Sequence, residues 1–226
     1  MAVGLSTLWA QRLIIDTGRK LLLDVNRMNV PLYAVSRAKE FDEAKVLDQA
    51  VGIFHARGFR QTSFADLTNE LGVCRQSLYN TYGDKDTLFR ASLKRYRERG
   101  LRRMSGILAE PGPIRPLLER LFETVISGTC SNGSPGCFMT NSMVEMAPQN
   151  NAIRTMAAAH AREVEAMFAA RLAKAQRSGD LSKGKDTNAL ACYFFHTMLG
   201  LAVAARALGE RDSLLATARL ALLALD

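Results

Sequence analysis

Apolar positions recur along most of the chain at intervals of three and four, the spacing that gathers one face of an α-helix against a core. Val46, Leu47, Ala50, Val51 and Phe54 form the first such face, and Gly58 supplies its stop. Phe64, Leu67 and Leu71 form a second, shorter one, opened by Thr62 or Ser63 with Asp66 as capping-box partner and broken by Gly72. A third segment, from about Cys74 to Tyr82, turns Leu78 and Tyr82 inward one turn apart, leaving Arg75, Gln76, Tyr79 and Asn80 on the opposite face. A long helix is predicted from Asp86 to about Leu108, ended by Pro111-Gly112-Pro113, and Leu117, Leu118, Leu121, Phe122 and Val125 mark the next. A Gly/Ser/Asn/Pro loop, Gly128 to Gly136, precedes a short helix that ends at Pro148. Beyond it lie an alanine-rich helix from Asn150 to Ser178, one from about Asp186 to Leu208 and one from Arg211 to about Leu225. With no alternating Val/Thr/aromatic runs, the expected class is all-α.

Two short helices joined by a tight glycine-containing turn make a helix-turn-helix, whose second helix fits the major groove of DNA. The outward side chains of the third helix have the right chemistry for base edges, since arginine can donate two hydrogen bonds to guanine and glutamine can pair with the adenine edge. After Tyr82, the run Gly83-Asp84-Lys85-Asp86 starts a new helix whose free N–H groups, with the Lys85 ammonium, are expected to hold a phosphate. This stretch resembles the DNA-binding domain of the TetR (tetracycline-repressor) family of transcriptional regulators. The resemblance rests on Gly58-Phe59, Thr62-Ser63, Leu71-Gly72-Val73, Leu78-Tyr79 and Tyr82 to Lys85, over roughly fifty residues. Cys74 stands where a serine or threonine commonly opens the recognition helix, and Gln76 where a small residue is frequent. The expected DNA-binding set is Thr62, Ser63, Arg75, Gln76, Ser77, Tyr79, Asn80, Tyr82 and Lys85, with packing on the first helix as the other reading of Tyr79 and solvation as that of Asn80.

Charge sharpens this picture. The chain of 226 residues carries a formal charge of +8, and residues 36–103 hold 14 basic against 9 acidic side chains, whereas residues 104–226 hold 12 against 11. An excess around the reading helices favours phosphate contacts and counterion release. The run Lys94, Arg95, Arg97, Arg99, Arg102 and Arg103 fits either that role or a solvated helix face. From the spacings of Cys74, Cys130, Cys137 and Cys192, with no CxxC pair and no histidine taken as lying at ligand spacing, no metal site is expected. No secretory signal is read in the first residues, which points to the cytoplasm, and Asp16, Arg19, Lys20 and Asp24 argue against a spanning segment. Residues 1–35 fit the remainder poorly. A weak helix from about Ser6 to Arg27 and a true start at Met28 are both compatible with them, and the extension is expected to be flexible or mis-assigned.

The division that follows is an N-terminal extension (1–35), a three-helix DNA-binding domain (36–87) and a larger helical ligand-binding and dimerisation domain (88–226). The last two helices, apolar over much of their circumference, are expected to pair with their copies in a second subunit, burying Leu201 and Leu222 there. The resemblance implies a palindromic operator in double-stranded DNA and a small-molecule effector bound inside the C-terminal domain. Phe122, Cys137, Phe138, Asn141, Met156, His160, Phe194 and Met198 are the candidates facing such a cavity, against the plain reading that Met and Phe at helical spacing are core. A second version makes Cys137, at a helix start, an electrophile or redox sensor with Cys130 as its resolving thiol. No phosphate loop, nucleophile elbow or His/carboxylate metal pattern is recognised and no cofactor is expected, so a helical enzyme with a fortuitous helix-turn-helix is the distant alternative.

Overall fold

Helix starts and stops fall where short polar side chains and glycines put them. In the computed structural model, which describes residues 41–129 and 135–226 and the backbone at 15–16 and 19–20, α1 is Glu43–Arg57, α2 Phe64–Leu71 and α3 Arg75–Tyr82. They are followed by α4 (Lys85–Ala109), α5 (Ile114–Thr129), α6 (Phe138–Met146), α7 (Asn151–Ser178), α8 (Thr187–Leu208) and α9 (Arg211–Ala221), with a terminal 3-10 turn over Leu222–Leu225. Ser63 caps α2 through a complete capping box with Asp66, so Ser63 rather than Thr62 opens that helix. Asp84, Asn150 and Asp186 accept from the first free N–H groups of α4, α7 and α8, donors the helices cannot satisfy internally. In the extension, Ile15–Asp16 and Arg19–Lys20 pair as two antiparallel two-residue strands, so the weak helix expected across them is not formed there. The other expectations for residues 1–40 lie outside the described residues, as does Cys130.

Two sets of buried side chains are strung along α4. Near its start Leu88, Phe89 and Leu93, fully buried, close the core of the head with Phe54 of α1, Leu67 of α2 and Leu78 of α3. Phe89 is the centre of this set: its ring meets Phe54 at 5.1 Å, Phe59 at 5.1 Å and Phe138 at 5.4 Å, each edge to face. Further along, Leu101, Met104 and Leu108 join Leu118, Phe122, Phe168, Leu172 and Phe194 in the core of the body. The head therefore borrows its floor from α4, and residues 43–226 form one compact unit across the expected 87/88 boundary.

Salt bridges fix the same long helix on both sides. The Arg95 and Arg99 guanidiniums reach Asp48 of α1, and Arg97 reaches Glu163 of α7. Hydrogen bonding from Arg95 first, then Arg99, holds the Asp48 carboxyl at about 2, below its ordinary 3.8. Much of the basic run on α4 thus serves its neighbours, in place of the bare phosphate-facing or solvated stripe that spacing alone allows. At the far end, the Arg171 guanidinium donates to the Gly112 carbonyl at 2.5 Å and Ile114 N–H donates to Asp180 at 2.5 Å, which secures the Pro-Gly-Pro turn.

Because Phe89 touches three aromatic rings from α1, the α1–α2 turn and α6, its truncation removes packing that no neighbour can refill. Phe89→Ala should destabilise the chain by about 3–5 kcal/mol. Urea unfolding should show a lower midpoint with an unchanged slope.

Candidate nucleic-acid interface and its link to the body

The outward side chains of α3 stand clear of the head because Leu78, fully buried, anchors the helix from the other side. Arg75, Gln76, Tyr79 and Asn80 are all exposed, Tyr79 by 60%. The Arg75 guanidinium lies 5.6 Å from the centre of the Phe64 ring, a cation–π contact that restricts where its five donors point. Gln76 Nε2 donates to Asn80 Oδ1 at 2.8 Å, one helical turn away, which orders the two amides together and leaves the Gln76 carbonyl and an Asn80 amide hydrogen facing outward. Ser77 is half-buried at the helix start, where its N–H donates to Cys74 Sγ at 3.4 Å. Cys74 is the N-cap, the place its serine or threonine counterparts would hold. Ser63 remains exposed, with its hydroxyl committed to the α2 cap.

Three members of the expected DNA-binding set are turned inward. Thr62 is fully buried and its hydroxyl donates to the Gly58 carbonyl at 2.8 Å, since the turn after α1 leaves that carbonyl without a helical donor. Tyr82 is half-buried and donates to the Glu43 carbonyl at 3.5 Å. Lys85, expected at a phosphate, instead places its ammonium 3.1 Å from the Phe59 carbonyl, 3.0 Å from the Thr62 carbonyl and 4.0 Å from the centre of the Phe59 ring. Its charge staples the α1–α2 turn to the start of α4.

That turn and the start of α4 are also gripped from the body, by residues sixty to ninety positions away that no local pattern indicates. The Glu145 carboxylate of α6 accepts from Phe59 N–H at 3.3 Å and Arg60 N–H at 3.0 Å. Arg60 adds a bond to Gln149 at 2.9 Å, and Asn150 donates to Asp86 at 3.0 Å. Gly58 lies at φ +81, a conformation that favours glycine, and a Cβ there would sit 2.8 Å from Glu145 Oε2, so a side chain would also push the carboxylate from its place. His55 Nε2–H donates to the Gly136 carbonyl at 2.8 Å, and the His55 ring lies between Tyr96 and Phe138 at 5.3 and 5.6 Å. Burial lowers the His55 pKa, consistent with the structural role its lone position in the sequence suggests.

The eight candidate effector residues do not share one cavity. Phe122 and Phe194 are fully buried and meet at 6.1 Å in the body core, with Met198 packed beside them. Phe138 is buried at the junction with the head. Cys137 is the half-buried N-cap of α6, close enough to the Tyr96 hydroxyl to disfavour its ionisation after burial, and Asn141 donates to the Pro135 carbonyl at 2.7 Å. Met156 is half-buried on α7. One turn on, His160 faces Phe195 at 6.3 Å, its Nδ1 buried without a hydrogen-bond partner among the described residues. Burial, with the Arg97 charge, lowers its pKa from 6.5 to about 4. None of the eight lines the groove of about 380 Å³ between α8 and α9 or the cleft of about 430 Å³ between α4 and α7. The expectation of no metal-ligand spacing is corrected as well: Cys192 and His196 lie four apart on α8, with Glu165 of α7 beside them.

Two measurements follow from this geometry. Lys85→Met keeps the stem and removes the ammonium, leaving two carbonyls short of a donor. It should cost about 1–3 kcal/mol of stability, while the slope of log affinity for DNA against log salt stays at the wild-type value; a slope shallower by about one unit would return Lys85 to a phosphate. His160 is neutral in the folded chain down to about pH 4 and titrates near 6.5 when unfolded. The unfolded state therefore binds more protons between those values, and stability is lost as pH falls through them, at up to about 1.4 kcal/mol per pH unit. His160→Leu should flatten that part of the stability profile.

Comparison with known proteins agrees with the architecture. Residues 46–92 match the family described as bacterial regulatory proteins, tetR family, and residues 115–221 match the tetracyclin repressor-like C-terminal domain. The chain is 32% identical over 183 residues to the uncharacterized HTH-type transcriptional regulator YezE of Bacillus subtilis (strain 168), covering 80% of this chain and 94% of that one. It is 30% identical over 173 residues to the HTH-type transcriptional repressor ComR of Escherichia coli (strain K12), covering 75% and 82%. Among solved structures it is similar to a cysteine-substituted form of the TetR family regulator CifR in complex with a 26-base-pair operator, with a TM-score of 0.76 at 28% identity over 84% of this chain and all of that one. FadR from Bacillus subtilis, solved with stearoyl-CoA, shares the fold at a TM-score of 0.63 and 16% identity, over 82% of this chain and 98% of that one. The helix-turn-helix on α2 and α3, the long α4 and the helical body make this chain a member of the TetR family of transcriptional regulators.

Proposed function

We propose that the protein is a dimeric repressor that reads an inverted repeat with α3 and releases it when a small molecule in the body displaces α6. The observation that carries this reading is the direct grip of Glu145 on the α1–α2 turn, which ties the position of the reading head to the position of α6. Operator binding by the similar CifR supports the choice of DNA, and the repressor ComR supports the sign of regulation. Arg75, Gln76, Tyr79 and Asn80 would meet base edges, while Ser63 and Ser77, at the helix starts, suit contacts to phosphate oxygens.

Dimerisation is supported by the α8–α9 face. Of the most apolar stretch of α8, only 33% is buried within the chain. Tyr193, Val203, Leu208, Leu220 and Leu223 stand exposed. A second copy would cover them and set two reading heads about one helical turn of DNA apart. Leu201 and Leu222, however, are interior at 3% and 2% exposure, so they report on folding, and the exposed leucines report on assembly.

The effector this body favours is small and mainly apolar with one hydrogen-bonding group. His160 offers a neutral, half-buried imidazole whose Nδ1 has no partner among the described residues, beside the Phe195 ring. Only a molecule that prefers the non-binding arrangement can switch it, and full release needs about 5.5 kcal/mol of such preference. The thiol version has its own support in the place of Cys137, half-buried at the start of α6, where modification would push on the same helix. Cys137→Ser should then abolish release by electrophiles and leave DNA affinity intact.

Fluorescence anisotropy on an inverted repeat selected from random DNA tests the assignment. Arg75→Ala should lose about 1–3 kcal/mol per contact and discriminate less at one base pair of each half-site. Leu220→Glu should give monomers by sedimentation that keep the wild-type helical circular dichroism and bind the full repeat far more weakly, with an unfolding midpoint that no longer depends on protein concentration; monomers with wild-type affinity would refute the dimeric reading.

A further inference from the structure

Outside the reading head and the junction, one cluster of side chains has a chemistry that neither the fold nor DNA binding calls upon. Cys192 and His196 occupy successive turns of one face of α8, and Cys192 Sγ lies 3.4 Å from His196 Nδ1. Glu165 reaches the pair from α7, and one ligand atom from each of the three lies within 4.8 Å of the others. We propose that Glu165, Cys192 and His196 form a binding site for a divalent cation of the zinc class.

The distances suit such an ion. With a metal–sulfur bond of about 2.3 Å and a metal–nitrogen bond of about 2.0–2.1 Å, tetrahedral angles place sulfur and nitrogen roughly 3.6 Å apart. The observed 3.4 Å between sulfur and nitrogen requires almost no rearrangement, and the Glu165 oxygen, within 4.8 Å of both, closes onto the ion by turning its side chain. A thiolate, an imidazole and a carboxylate are also a selective set. The sulfur and nitrogen donors favour zinc, cobalt, nickel or copper over magnesium and calcium, which take oxygen ligands. Glu165 and Cys192 are half-buried and His196 is exposed, so an ion can enter from solvent and a fourth position stays open for water or an added ligand.

The supports are rigid. Both α7 and α8 are long, capped at their starts by Asn150 and Asp186 and closed by left-handed glycines, and they pack along much of their length. Ligands carried on such helices are held without loop ordering, which favours affinity. A bound ion would cross-link α7 to α8. Tyr193 and Thr197, each next in the chain to a ligand, line the groove between α8 and α9, so the ion would sit beside the face assigned to dimerisation.

Cobalt(II) titration of the full-length, metal-stripped chain tests this directly. The expected result is a thiolate-to-cobalt charge-transfer band saturating at one equivalent per chain, visible d–d bands of four-coordinate intensity, displacement by zinc and a raised thermal midpoint. Cys192→Ser should remove the charge-transfer band. His196→Ala and Glu165→Gln should each weaken binding at least about tenfold, the loss already typical of removing a partner that only orients a ligand. Cys137→Ser and Cys74→Ser should titrate as wild type. No charge-transfer band in the wild type, or one that survives Cys192→Ser, would overturn the site and leave Cys192 and His196 as a plain hydrogen-bonded pair. Anisotropy on the operator reads DNA binding separately, so failure here leaves the repressor reading untouched, and the reverse.

Discussion

One carboxylate sets the relation between the two ends of the protein. Glu145 accepts two backbone N–H groups of the α1–α2 turn, groups that the end of α1 leaves without helical partners. Removing it would hand the exposed Arg60 N–H to water and leave the part-buried Phe59 N–H the costlier of the two to satisfy. The surrounding features follow from this. Gly58, at a left-handed φ that favours glycine, leaves room for the carboxylate, and Lys85 holds the same turn through two carbonyls. The Phe89 cluster packs the turn, α1 and α6 onto one ring. A head fastened in this way moves with α6.

Charge behaves differently here from its first appearance in the sequence. A basic stretch on α4 reads naturally as a footprint for phosphates, yet Arg95, Arg97 and Arg99 spend their charges on Asp48 and Glu163. Arg102 and Arg103 stay exposed further along α4, and α3 carries one cation, Arg75, set against the Phe64 ring. Fewer of the basic side chains of α4 are therefore free for phosphates than the formal charge of +8 suggests.

Local rules made much of the architecture legible. Ser63, Asn150 and Asp186 cap helices where short polar residues precede apolar periodicity, and Gly179 closes α7 where the repeat stops. Leu78 and the four outward residues of α3 follow from the same period. The periodicity carries no information about partners distant in sequence. Thr62 and Lys85 look like solvent-facing polar residues until the turn folds against them, and Glu145 looks like any surface acid of a short helix. The effector candidates failed to converge for a related reason: an apolar helical face says that Phe122, Phe138 and Phe194 are inside but not whether they line a cavity or fill a core. Cys192 and His196 stand at a visible spacing of four, and only the third ligand, from another helix, gives that spacing a chemical meaning.

The length of α4 has a mechanical consequence. With 25 residues it extends about 37 Å. A tilt of roughly five degrees pivoting at its body end would carry the head about 3 Å, close to the ~3.4 Å rise of one base pair. Hydrogen bonds to base edges tolerate only tenths of an ångström. A displacement too small to disturb the packing of the body is therefore enough to take a bound head off the base edges it meets, and in the dimer proposed above the rigid helix would act as a lever whose gain is its length.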